Sequence, residues 1–261
     1  IWLYNFTGKA EYIERAMLFG DFHLRYCMCE GWPRYACYMD HKLDDFYARG
    51  AFQSGTGLFY HDLFMACGEP KYIAEGLRPI AENYLKYFIC EDGSINQQFD
   101  IFTWKNTAEA KQANVAPGMH CFNDDFGNVM LLAAADILED EKYRQAARRF
   151  ALWLANSLDS ETGFSGHWSG VPVSLMYFHD LGLFYNDEKL LTARDKALKI
   201  LLDMQFLDTG DSKLDGAFRG KSEVNSDLAG AGENCINTRC SSYALTALLK
   251  VESDLPDIWL G

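Results

Sequence analysis

Four stretches of this chain align on one short polar turn, and that repeat restricts the possible folds more than any other feature. They are TGKAEYIERAMLFGDFHLRYCMCEGW from Thr7, CGEPKYIAEGLRPIAENYLKYFICEDGSI from Cys67, LEDEKYRQAARRFALWLANSLDSETGF from Leu138 and YNDEKLLTARDKALKILLDMQF from Tyr185. Each turn leads into a charged amphipathic helix; in the third copy Ala147, Phe150, Ala151 and Leu154 fall at helical spacing. Before three of the turns lies a more uniformly apolar helix: GTGLFYHDLFMAC, DDFGNVMLLAAADIL and GVPVSLMYFHDLGLFY. A helix apolar nearly all round must be enclosed by other helices, so these are inner helices and the amphipathic ones are outer. NTRCSSYALTALLKV is a further inner candidate.

Inner helix, tight turn, outer helix and longer glycine-containing loop thus succeed one another. That order fits an all-α fold, an (α/α) toroid of repeated helical hairpins whose inner helices enclose the axis. The tight turns then gather at one end. The longer segments at about 91–123, 158–169 and 207–236 gather at the other, beside the N-termini of the inner helices, where a functional site is expected. Only IWLYNF precedes the first turn, and the last inner helix has no clear outer partner. The expectation is one helical-toroid domain over 1–261, incomplete here and part of a longer protein whose other hairpins or domains close the ring.

At 261 residues and 49% hydrophobic, the chain can bury a large core. With 37 acidic against 24 basic residues the net charge is −13, which opposes nucleic acid and polyanions and favours neutral ligands. No apolar stretch is long enough to cross a bilayer, and no cleavable signal segment opens the sequence. The eight cysteines show no repeated CxxC pairing, so zinc and a disulfide framework are not expected. Free, buried cysteines lean towards a reducing compartment. No metal and no organic cofactor is expected.

The turns EDGSI, ETGFSG and LDGAFRG, with GEPKY and EDEKY between inner and outer helices, resemble those of the six-hairpin glycosidase-like (α/α)-toroid superfamily. The resemblance covers nearly the whole chain and implies an oligosaccharide or polysaccharide site at the inner-helix mouth. Hydrolases, lyases and sugar epimerases all occur in that superfamily. A second resemblance, MQ at 204–205 followed by DGAFRG, is to the terpene cyclases that share the toroid, but the DxDD acid motif of the protonating cyclases is missing. Gly220, Lys221 and Ser222 spell the end of a phosphate-binding loop, yet Asp215 stands where that loop needs its first glycine. LDGAFRG is instead expected to be a repeat-end turn, with Gly216 at positive φ and Phe218 packed between hairpins.

The candidates for chemistry follow from these placements. Asp124 and Asp125 start an inner helix at the mouth, and a similar adjacent Asp pair occurs in some mannanase-like members of the superfamily. Paired carboxylates about 5 to 10 Å apart serve glycoside hydrolysis, with Asp215 or Glu233 as alternative second carboxylates. His179 and Asp180 recur as His61 and Asp62 in another repeat; they read either as catalytic groups or as hydrogen-bonding ties between inner helices. Trp32, Trp104 and Trp168 offer stacking faces for sugar rings. Arg219 and Arg239 offer bidentate binding of a uronate, and His120 and His167 are similarly placed. A lyase would rely on Tyr60, His179 and Arg239. A toroid without catalysis, binding a glycan or a protein, is the nonenzymatic alternative. A calcium site from Asp208, Asp211 and Asp215 lacks the regular loop spacing.

Overall fold

The computed structural model describes residues 1–34, 48–95, 98–100, 105–106, 127–159, 164, 170–218, 236 and 238–253. Short α1 (Trp2–Thr7) and outer α2 (Ala10–Tyr26) open the array. Inner α3 (Gly50–Cys67) leads to an outer helical stretch built from Tyr72–Leu77, α4 (Arg78–Asn83) and Tyr84–Phe88. Inner α5 (Gly127–Leu138) pairs with outer α6 (Glu141–Ser157), and inner α7 (Gly170–Tyr185) with outer α8 (Glu188–Asp203). Inner α9 (Thr238–Ser253) packs on α7. Among the described residues this makes three full hairpins flanked by α1–α2 and α9, an all-α arc of a toroid rather than a closed ring.

Burial follows the expected division. Every residue of α7 from Gly170 to Gly182 is buried, whereas α6 buries the stripe Tyr143, Ala146, Ala147, Phe150, Ala151 and Leu154. The second outer stretch departs from regular helix. Its two ends are π-helical around Arg78–Asn83, because Pro79 lacks an N–H and its ring crowds the carbonyl one turn back, which a wider turn relieves.

The tight inner-to-outer turns share one backbone device. Gly8, Gly68, Glu139 and Asn186 stand at equivalent places and all have positive φ, from 48° to 73°. In the last two turns the following residue, Asp140 or Asp187, caps the outer helix by accepting from backbone N–H groups. Arg148 also pairs with Asp187 at 2.6 Å and holds its carboxyl below the usual carboxylate range.

The repeat-end turns are plugs. Gln205 and Phe218 form an isolated antiparallel bridge, as do Ile89 and Ile95. Gly216 has φ 91°, Phe218 is buried, and Asp215 accepts from the Thr209 N–H and hydroxyl. Ile95 and Phe164 are buried at the matching places, and Trp32 occupies that place in the first repeat.

Among the described residues, the first three repeat-end turns rest on the outer helix of the next hairpin. A Cβ on Gly31 would lie 2.8 Å from Pro79 Cβ, and one on Gly93 would lie 2.4 Å from the Arg149 carbonyl oxygen. In the next junction Lys196 Nζ donates to the Leu158 carbonyl. Two glycines with the same backbone conformation separate the causes. Gly93→Ala meets both positive φ and the Arg149 backbone and is expected to cost about 3 kcal/mol or more. Gly216→Ala, whose Cβ would meet open space, is expected to cost about 1 to 2 kcal/mol. Urea midpoints of the two variants check the difference.

Candidate functional site

The inner-helix N-termini gather at one end of the array, and a small sheet joins them there. Strand β3 (Ala48–Arg49), which runs directly into α3, pairs antiparallel with β4 (Gln98–Asp100), and β4 pairs with β5 (Lys105–Asn106). The register sets Ala48 against Phe99 and Phe99 against Asn106. The long segment after the second hairpin therefore returns to the start of its own inner helix. A separate hairpin of β1 (Met28–Cys29) and β2 (Trp32–Pro33) carries the first plug. None of these strands was expected from the sequence.

Two sets of buried polar groups lie at different depths along the inner helices. Near the mouth are Gln53 and Ser54 of α3, Asn128 of α5 and Ser174 of α7, all buried. Sequence reasoning missed this set, although repeat alignment puts Gln53 and Ser54 opposite Asp124 and Asp125. Deeper lie His61 of α3, His179 and Asp180 of α7, and Lys250 of α9. Lys250 Nζ lies 2.8 Å from Asp180 Oδ1 and ties two inner helices together. His61 Nδ1 lies 3.0 Å from Oδ1 of its neighbour Asp62, whose side chain is half exposed, so the two sequence-equivalent pairs are used differently.

Of the other candidates, Trp32 is corrected. Its ring is buried against Tyr87 and Phe88 at centroid distances of 5.5 and 6.1 Å, which leaves no face for a sugar. Tyr60 is corrected as a base facing the mouth. It is wholly buried against α2, where its hydroxyl lies 2.7 Å from His23 Nδ1, and burial raises its pKa far above the ordinary value. Asp215 serves its own turn. Arg239 stands in the first turn of α9, as expected. Asp124, Asp125, Trp104, His120, His167, Trp168, Arg219 and Glu233 lie outside the described residues. Cys27, Cys29, Cys67 and Cys90 are thiols not joined in disulfides. No described helix is long and apolar enough to cross a membrane.

Two expected outcomes follow from the deeper groups. Lys250→Met leaves the Asp180 carboxylate enclosed without its cation and is expected to cost about 3 to 5 kcal/mol, while adding Asp180→Leu recovers most of the loss. Urea denaturation of the single and double variants measures both. Burial also holds the His23 imidazole below its usual 6.5. Between that lowered value and 6.5 the unfolded chain binds a proton that the folded chain does not, so stability falls as pH drops through this window. His23→Gln, which keeps a polar partner for Tyr60, is expected to flatten the change in urea midpoint between about pH 7.5 and about pH 5.5.

No protein-family model and no curated protein matches the sequence. Solved structures do match its fold. Cellobiose 2-epimerase from Spirochaeta thermophila aligns at TM-score 0.69 and 14% identity, over 96% of this chain and 67% of that one. A D-mannose isomerase aligns at TM-score 0.69 and 13% identity, over 95% of this chain and 68% of that one. The unsaturated glucuronyl hydrolase of Bacillus sp. GL1, responsible for the degradation of glycosaminoglycan, aligns at TM-score 0.66 and 14% identity, over 98% and 72%. At such identities the likeness concerns architecture, and the three names carry three different reactions. The chain shares the (α/α)-toroid fold of these three structures.

Proposed function

We propose that the protein is a carbohydrate-active enzyme, a glycoside hydrolase that takes an oligosaccharide or polysaccharide at the inner-helix mouth and needs no organic cofactor. One observation carries the reading. The end of the array that gathers the inner-helix N-termini and the β3–β4–β5 sheet also carries the buried polar side chains of Gln53 and Ser54, in a fold shared with enzymes named for sugar substrates. A concave end with a few convergent polar groups is the usual setting of a small-molecule site.

Asp124 and Asp125 stand three and two residues before α5 in the sequence. One protonates the leaving glycosidic oxygen, and a second carboxylate about 5 to 10 Å away attacks or activates water, with Glu233 as the alternative source. Trp104, Trp168 and His120 line the sugar, with Arg219 and Arg239 as further hydrogen-bond donors. Asp180 is held by Lys250, and His179 stands beside it in the same wall. Their role in this reading is to hold the cavity's shape beneath the reacting bond.

The test is turnover of neutral and uronate-containing oligosaccharides by the wild-type protein and by Asp124→Asn and Asp125→Asn. New reducing ends, lost by about 10²- to 10⁴-fold in a folded variant, are expected. Survival of full activity in both variants overturns the carboxylate assignment. A second reading is sugar epimerisation or isomerisation, supported by the two neighbours with TM-score 0.69. It predicts conversion of a free sugar seen by NMR with no new reducing ends.

A further inference from the structure

Orphaned buried polar atoms are uncommon in folded proteins, because each costs about 1 to 3 kcal/mol of desolvation with no bond in return. Among the described residues, Asn128 is wholly buried and neither its Oδ1 nor its Nδ2 has a partner. Gln53 is wholly buried as well. Its Oε1 has no partner, and its Nε2 makes only a 3.5 Å contact to the Pro33 carbonyl. Gln53 stands in the first turn of inner α3, and Asn128, in the first described turn of α5, is equivalent in the repeat alignment to Gly57, one turn below. Their helices are direct neighbours: the place of a Cβ on Gly57, one turn below Gln53, lies 2.3 Å from Met130 Sδ of α5. Ser241 Oγ, in the first turn of α9, is a further buried atom with no partner.

We propose that the carboxamides of Gln53 and Asn128 are substrate-binding groups that hydrogen-bond hydroxyls of a neutral sugar. The assignment rests on the carbohydrate reading given above and narrows it to a substrate class. Each carboxamide presents two donors and an acceptor side by side. A sugar hydroxyl is donor and acceptor at once, so neighbouring hydroxyls match the amide edge. A uronate carboxylate only accepts, and it would leave both amide oxygens without a donor. Neither amide supplies the positive charge that a carboxylate needs on a chain of net charge −13. A purely structural role does not match the geometry, since a structural amide in a core is held by partners, and of these four polar atoms only Gln53 Nε2 has one, at 3.5 Å.

The experiment pairs stability with binding in the full chain, using Asn128→Leu and Gln53→Met, which keep shape and remove the polar atoms. D-mannose and cellobiose are the neutral probes and glucuronate the charged one, titrated calorimetrically. The expected result is that wild type binds a neutral probe in preference to glucuronate. Each variant is expected to weaken that binding by at least about 10-fold, with its urea midpoint unchanged or raised. A lowered midpoint, or failure to fold, makes the amides structural and overturns the proposal. Unchanged neutral-sugar binding in folded variants overturns it too, while leaving the carbohydrate reading intact. Preference of wild type for glucuronate overturns the substrate class alone. If wild type binds none of the three, the proposal and the carbohydrate reading fall together.

Discussion

The seating of the first three repeat-end turns on the outer helix of the following hairpin is the contact on which the rest of the architecture depends. Gly31 lies against Pro79 and Asn83, Gly93 against Arg149, and the Leu158 carbonyl accepts from Lys196. Arg149 and Lys196 are equivalent in the repeat alignment and Pro79 is one residue from the matching place, so the contact recurs at nearly one register with changing chemistry. A fixed register from hairpin to hairpin fixes the curvature. With curvature fixed, the inner helices start at one end and enclose one another, which lets a helix as apolar as α7 exist in water. The mouth follows from this contact, because the chain leaves every plug turn on the side where the next inner helix begins.

Much of this was legible because it is local and repeated. The alternation of all-round and one-sided apolar helices gave the layers, and the shared turn gave the hairpins. Where the turn chemistry was unconventional, legibility fell. Gly8 and Gly68 announce a left-handed residue, but Glu139 and Asn186 adopt the same conformation and only alignment reveals it. The first plug was readable in principle: EGW ends its repeat as EDGSI and ETGF end theirs. Its aromatic residue nonetheless suggested a stacking platform until burial against Tyr87 and Phe88 settled its place. The π-helical turns around Pro79 and the short strands left no periodic trace.

The candidate site was less legible for a different reason. Asp180 and Lys250 meet only because α7 and α9 are neighbours in space, and nothing near either residue forecasts the pair. Gln53 and Ser54 were passed over because neutral residues in an apolar stretch look like incidental polar positions. Their equivalence to Asp124 and Asp125 was the available clue. It indicates that the first turn of an inner helix is where this repeat places polar side chains, whatever their charge.

The two depths of polar groups then divide the work along the inner helices. Deeper down, charge is neutralised within the wall: Asp180 faces Lys250, and each supplies what the other lost on leaving water. That arrangement stiffens the wall and is closed to further chemistry at those atoms. Nearer the mouth, Asn128 and Gln53 give up solvation without such compensation. On the proposed reading that cost keeps bonding capacity for a ligand, with the walls setting depth and rigidity and the amides selecting the substrate. Epimerase, isomerase and hydrolase neighbours share this one architecture under three different names, because a fold supplies a scaffold and the chemistry comes from the particular side chains placed on it.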